Sequence, residues 1–517
     1  MTNIEVKIKG NLFEGVTLKT VNDISLELRS HSSNLENYIK KKMHSWSGNF
    51  SLTIETQTRL LCVADKIRSF PILIDTNHDK ICVFEYKKTL IQEMRLDEDA
   101  MLSFYYSGYT LSDSTLLNGV LSVPAGHYYI CDKTAQTIKK IKYFSFRNKN
   151  FDKSEQNEAN SIEKLHSIYT NIFKQIIDKC DGRKIVIPLS GGYDSRIVLS
   201  YLKYLKYPNI LTFSYGNSGF WELDFAKNIA EKAGVPWFVF NSTSRDRDLF
   251  FSETSQEFYW RATNYEQVPQ MNDFYAIRSL ISSMVIPKDA IIINGQTGDF
   301  TDGGHIPKEL VGLTDTIYAL DKLKNKHYAL WMNKDRNAEL EHILNNNESI
   351  IEDFGFNNNS TENWRAFEEF EYQHRQSKSV VNGQRVYDHF GLDWYLPLWD
   401  TELLNFWMST PLELRLNRRL TKSYANKVNL LGLFDFATSP QRVWSHIPLW
   451  VRIINFSFSK FNNVKFSNEI LGNYYGTYSS YYPISGYKQY LKKTRGHRNA
   501  FSFHSSYILE KLNENSN

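Results

Sequence analysis

The sequence predicts an α/β protein in two unlike halves: an N-terminal, mainly β, sandwich-like domain, then an open parallel α/β sheet with helical additions. Three observations carry that expectation. From Met1 to about Phe146 the chain runs in short alternating stretches of β-branched and aromatic residues separated by turn residues, which is how strands read. A polar stretch from Arg147 to Asn160 cannot bury a face and reads as a linker. Beyond it, apolar runs alternate with helical patterns, which implies parallel strands joined by crossover helices. The expected domains are therefore 1–147, 160–450 and a basic, aromatic extension over 451–517.

In order along the chain, Ser51-Leu-Thr-Ile-Glu-Thr and Ile81-Cys-Val-Phe-Glu-Tyr are the clearest N-terminal strands. After the linker the spacing predicts a helix from Ser161 to about Asp178, a strand at Ile185-Val-Ile-Pro-Leu and a helix from Arg196. A strand at Ile210-Leu-Thr-Phe-Ser, a helix from Glu222 and a strand at Trp237-Phe-Val-Phe follow. The Asn-rich stretches at Asn345 and Asn357 read as surface loop.

Composition narrows the function classes. The chain has 517 residues, 42% hydrophobic and 23% charged, an ordinary globular balance. No apolar run reaches the roughly 18 residues of a membrane helix, and Met-Thr-Asn-Ile-Glu-Val-Lys lacks a signal peptide's apolar core, so a cytoplasmic protein without a membrane span is expected. Cys62, Cys82, Cys131 and Cys180 are too scattered for a zinc or thioredoxin-type site and read as buried, reduced thiols. Net charge is +4, with nine Lys or Arg against three Glu from Trp450 onward; such a tail is a solvated face or meets an anionic substrate, and nothing points to nucleic acid.

The chemistry concentrates where the first parallel strand ends. Leu189 leads directly into Ser190-Gly191-Gly192-Tyr193-Asp194-Ser195 and a helix. Two glycines let consecutive N–H groups and the helix N-terminus converge on an anion, with the Ser190 and Ser195 hydroxyls as further donors. In place of the lysine of a Walker loop stands Asp194, which repels phosphate unless a divalent cation lies between them, so magnesium is implied. Arg196, a cation in the first helical turn, is unfavourable there unless an anion or a nearby Glu compensates it.

Ser-Gly-Gly-Tyr-Asp-Ser resembles the pyrophosphate loop of the N-type ATP pyrophosphatases, and the wider pattern resembles the asparagine synthetase family. Thr212-Phe-Ser-Tyr-Gly216 with Glu222 and Asp224, Ile291-Ile-Ile-Asn-Gly-Gln-Thr-Gly-Asp299 with Gly303-Gly304, Leu396-Pro-Leu-Trp-Asp400 and Pro411-Leu-Glu-Leu-Arg-Leu are each similar to segments of that family. The resemblance implies that ATP is held by the loop, that Asp194 and Asp299 hold magnesium, and that Leu189, Tyr215, Asn294 and Gly295 form the purine pocket. It further implies an acyl-adenylate, pyrophosphate as leaving group, and a nitrogen nucleophile that displaces AMP.

Departures from the family pattern are equally informative. Gly48-Asn-Phe, Arg68-Ser-Phe-Pro71 and Val123-Pro-Ala-Gly-His127 resemble a class II glutamine amidotransferase, an Ntn-hydrolase-like fold, yet position two is Thr2, not the required cysteine. Nitrogen is therefore expected from an amine or ammonia. The family's Glu is here Gln296, which cannot take a proton, and its late lysine segment reads Ser439-Pro-Gln-Arg442. Gln296, Arg442 and Arg196 are the catalytic candidates, and His305 is a further residue able to touch substrate. Together these imply an AMP-forming amide ligase acting on a small or sugar-linked carboxylate and an amine, as in enzymes that amidate sugar acids of bacterial surface polysaccharides. Asparagine synthetase itself, a β-lactam or lasso-type cyclase and a nucleotide-binding pseudoenzyme are the rival readings; oligomeric state is open.

Overall fold

The computed structural model describes residues 4–15, 17–30, 35–77, 81–84, 95–147, 157–216, 221–241, 250, 252–271, 273–331, 336–345, 354–357, 360–436, 453, 456–457 and 500–516. Its first half is built on a six-stranded antiparallel sheet in the order β2-β1-β3-β4-β8-β9. These are Thr17–Leu18, Glu5–Glu14, Trp46–Glu55, Arg59–Ala64, His127–Asp132 and Thr137–Lys142. β4 is interior and apolar on both sides: Leu61 and Val63 face one core, Leu60, Cys62 and Ala64 the other. The first core is closed by two helices, Val21–Ser30 and Leu35–Lys42, through Ile24, Leu28, Tyr38 and Ile39. The second is closed by a three-stranded sheet of Leu73–Asp75 (β5), Cys82–Phe84 (β6) and Val120–Ser122 (β7). Two antiparallel sheets thus face each other. Three of the cysteines are buried as expected, whereas Cys82 is exposed, because it lies on the short strand β6 at the edge of the small sheet.

The second half is a five-stranded sheet in the order β12-β11-β10-β13-β14, parallel at every pairing. Its strands are Trp237–Asn241, Ile210–Gly216, Ile185–Pro188, Ile291–Ile293 and Asp393–Tyr395. The central strands are uninterrupted isoleucine and valine because both faces are covered: Ile185, Ile187, Ile291 and Ile293 enter one core, Val186 and Ile292 the other. Glu158–Cys180, Tyr193–Tyr204 and Trp221–Ala233 supply the expected helices, the second starting three residues before Arg196. From β10 the chain builds outward through β11 and β12, then returns to place β13 on the other side of β10. The order reverses between β10 and β13, and a crevice opens beyond the carboxyl ends of strands at such a point.

Buried polar contacts join the halves: Arg68 pairs with Glu266, and the Phe146 N–H donates to Glu369 Oε2 at 2.7 Å. The last helix, Ala500–Ser516, is no free extension, since Ile508, Leu509 and Leu512 enter the main core and the Ser505 hydroxyl donates to the Tyr105 carbonyl at 3.0 Å. Among the described residues no helix is long and apolar enough to cross a membrane.

Candidate functional site

A cavity of about 410 Å³ occupies the crevice at the β10/β13 switch point. Two loops form its floor. The first leaves β10 at Leu189 and enters the helix at Tyr193 with Gly192 as its N-terminal residue, and no side chain caps that end. The Ser195 hydroxyl accepts the Ser190 N–H at 3.1 Å, and the Ser190 hydroxyl accepts the Gly192 N–H at 3.2 Å. Serine hydroxyls thus satisfy the Ser190 and Gly192 N–H groups until an anion competes for them.

The second loop, after β13, lies directly on the first. A Cβ on Gly295 would stand 2.7 Å from the Asp194 carbonyl carbon, and one on Gly298 would stand 2.7 Å from the Asp194 carboxyl carbon, so only glycine permits this approach. The approach brings the two expected acids together: the Asp299 N–H donates to Asp194 Oδ2 at 3.1 Å. Arg418 pairs with the other Asp194 oxygen and reaches Asp302 Oδ2 at 2.7 Å. Burial pushes the Asp194 carboxyl up, Arg418 pulls it down and the neighbouring Asp299 raises it again. Asp299 stays below the usual carboxylate range: burial opposes its charge, but His305 donates to it from 3.1 Å and outweighs that cost. His305 is in turn held by Glu371 Oε1 at 2.5 Å, and although burial opposes its charge the two carboxylates push it up to about 9.

Leu189, Ser190, Gly192, Asp194, Ser195, Tyr215, Asn294, Gly295, Gln296 and Asp299 all line the cavity. Gly191 and Tyr193 do not. The Gly191 N–H is taken by Glu222 Oε1 at 3.2 Å, and Tyr193 turns its ring onto Phe434 at 6.1 Å between centroids. Arg196 also stands outside the lining, which corrects its expected place among the catalytic groups. Its guanidinium, 2% exposed, lies among the Tyr193, Phe225 and Phe434 rings and donates to the Leu433 and Phe436 carbonyls at 3.3 and 3.2 Å. Carbonyls, not an anion, compensate it. Arg442 and Thr2 lie outside the described residues.

Sequence reading missed Arg418, Asp273, Gln270 and Gln384. Arg418 follows the quoted Pro411 segment in a run of cations, a signal that was available. The other three carry no motif: Gln270 lies in a loop, Asp273 precedes the helix Phe274–Ser282 and Gln384 ends a 3₁₀ turn. Asp273 sits at the cavity wall, where Tyr387 and Tyr215 donate to its carboxylate, and burial raises it. Tyr387 also accepts from Asn294 Nδ2 at 3.2 Å, tying Asp273 to the second loop.

A parallel sheet with a glycine loop and an open helix N-terminus at its switch point is a nucleotide-binding arrangement. Residues 181–428, which contain both loops, match the family described as asparagine synthase. The chain is also 29% identical over 126 residues to the 7-cyano-7-deazaguanine synthase of Acinetobacter baylyi, across 23% of this chain and 53% of that protein. It thus spans about half the length of the curated relative it matches.

Proposed function

We propose that the protein is an ATP-dependent amide ligase that forms an acyl-adenylate and transfers the acyl group to an amine or ammonia without hydrolysing glutamine. One observation carries the reading: the glycine loop and the Gly295 loop meet over a single cavity, with Asp194 and Asp299 side by side at its floor. The donors suit magnesium. Two adjacent carboxylates repel one another, and Mg²⁺ is commonly bound by one or two carboxylates with substrate phosphates completing its octahedron. No cluster of three protein ligands occurs among the described residues, which is compatible with phosphates supplying the rest. Bound there, magnesium would neutralise charge on the departing pyrophosphate.

The residues' tasks follow. Gly192 and Ser195, at the helix N-terminus, hold the β and γ phosphates, which leaves the α-phosphate open to in-line attack by the substrate carboxylate. Leu189, Tyr215, Asn294 and Gly295 hold the purine, and Asp273 braces Tyr215 and, through Tyr387, Asn294. Arg418 screens Asp194 before nucleotide arrives. Arg68, which resembles an amidotransferase arginine, is 2% exposed and consumed by Glu266, which supports a structural role for the N-terminal half. We assign the acid to the sugar-linked carboxylates on the family resemblance.

Incubation with ATP labelled at the α-phosphate, magnesium and a panel of uronic and amino acids, with hydroxylamine as trap, is expected to release AMP and pyrophosphate. ADP as the stoichiometric product would overturn the mechanism, and tight ATP binding without turnover across the panel would favour the pseudoenzyme. Asp194→Asn or Asp299→Asn should each weaken magnesium-dependent ATP binding roughly tenfold or more by loss of a hard oxygen ligand. Calorimetry showing wild-type affinity in both variants would refute the metal assignment.

A further inference from the structure

Resting on the ligase reading, we propose that Gln384 positions the nitrogen nucleophile, its side-chain Oε1 accepting an N–H from an uncharged amine beside the reacting acyl carbon. Gln384 is fully buried, lines the cavity, and its Oε1 has no hydrogen-bond partner. A buried acceptor left unpaired is unfavourable unless a ligand satisfies it. Its Nε2 donates to Gln296 Oε1 at 2.5 Å, which fixes the amide and leaves the oxygen as the free end.

The place of Gln384 in the cavity wall points to its ligand. On the second loop Gln296 stands between Asn294, assigned above to the purine, and Asp299, assigned above to magnesium, and all three line the cavity. A nucleotide spanning the two ends sets its α-phosphate, and so the acyl carbon joined to it, opposite Gln296 and its partner Gln384. The backbone is shaped for this. The helix from Asn363 widens into a π-helical stretch over Tyr372–Val380 and tightens into a 3₁₀ turn, Val381–Gln384, which delivers Gly383 and Gln384 to the cavity wall. Such interruptions cluster at functional sites. Gly383 adds no side chain there: a Cβ on it would have the Gln296 amide nitrogen at 3.5 Å as its nearest neighbour.

An amide oxygen accepts hydrogen bonds and takes no proton. It repels the lone pairs of the acyl carboxylate, so that group is not its ligand. It receives an N–H while leaving the amine's own lone pair free for attack. The amine nitrogen then forms the C–N bond, the acyl C–O bond to AMP breaks with its electron pair passing to the phosphate, and the surplus N–H proton leaves with the AMP phosphate. With Gln296 and Gln384 both neutral, no carboxylate of this pair traps the nucleophile as an ammonium.

The test uses the full chain with Mg-ATP, whichever panel acid yields AMP, and ammonia or methylamine as probe nucleophiles, with trimethylamine as a probe lacking N–H. Gln384→Leu should raise the KM for ammonia and methylamine roughly tenfold or more, while the KM for ATP moves less than about twofold. Gln384→Glu, closer in shape, should lower the KM for the amine but also lower kcat and shift the pH profile upward, because the carboxylate holds the ammonium form. If the unaltered protein forms no AMP with any acid, the ligase reading falls and this inference with it. An active protein whose two variants keep the wild-type KM for amine, or change the KM for ATP or the acid instead, overturns the inference alone.

Discussion

Single residues decide this site. Asp194 and Asp299 were legible because each stands in a motif whose glycines have a stated backbone purpose, and the structure sets them against each other as Gly295 and Gly298 permit. Asp273 and Gln384 were not legible: nothing in their local sequence separates them from ordinary helix-terminal polar residues, and only the packing of distant segments turns them to the cavity. The same contrast appears at Arg415, quoted as part of a motif without a role. Its guanidinium, fully buried, is bidentate to Glu368 at 2.7 and 3.1 Å and reaches the Thr301 carbonyl at 3.2 Å, bracing the turn that follows Asp299. Burial, with a smaller push from Glu371, drives Glu368 upward against the pull of Arg415, so removing the arginine strands a carboxylate in the core. Arg415→Ala should therefore destabilise the protein by about 3–5 kcal/mol in urea unfolding. Replacing both partners by Met and Leu should recover most of that loss, and a single variant as stable as wild type would refute the argument.

Among elements, those that declared themselves carry one unbroken period. The Ile-rich strand β10 and the helix Glu158–Cys180 read directly, since a strand covered on both faces is continuous apolar sequence and a one-sided helix repeats at three to four residues. The N-terminal helices Val21–Ser30 and Leu35–Lys42 escaped because they are short and charged, with one buried stripe apiece. The π-helical stretch Tyr372–Val380 has no period a helical template would match. Arg196 shows how an element can mislead: a cation at a helix start suggested an anion, but tertiary carbonyls and aromatic rings do that work. It fastens residues 433–436 to the glycine-loop helix. In Arg196→Met the loss of charged hydrogen bonds, each about 1.5–3 kcal/mol, should speed amide exchange of those residues by roughly tenfold or more. Exchange at the wild-type rate would show that the clamp contributes nothing.

Across the whole molecule, three of the histidines are held uncharged by burial, two of them at seams that join distant segments. His127 lies in the N-terminal half beside the Ala125 carbonyl, His327 meets Tyr109 at 2.7 Å, and His504 of the last helix meets Tyr259 at 2.8 Å. Burial drives them down from 6.5, to about 4 for His127 and about 3 for each of the others. Between those values and 6.5 the unfolded chain binds protons that the folded chain refuses, so the stabilisation these histidines leave intact above pH 6.5 is progressively lost as pH falls toward 4 and 3. Glu27 adds a lower step. Burial raises it, but Lys19, Lys42 and Tyr38 hold it down to about 2, so its contribution is full above 4.5 and disappears as pH falls through 2. Each fully titrating histidine adds a slope of about 1.4 kcal/mol per pH unit. Below pH 6.5 these histidines therefore pull the urea midpoint down while Asp302, which burial raises to about 7, pushes it the other way, and His504→Gln should remove one proton's slope from the downward part. A midpoint profile from pH 6.5 to 4.5 with the same slope in wild type and His504→Gln would mean that His504 is not held neutral by the fold.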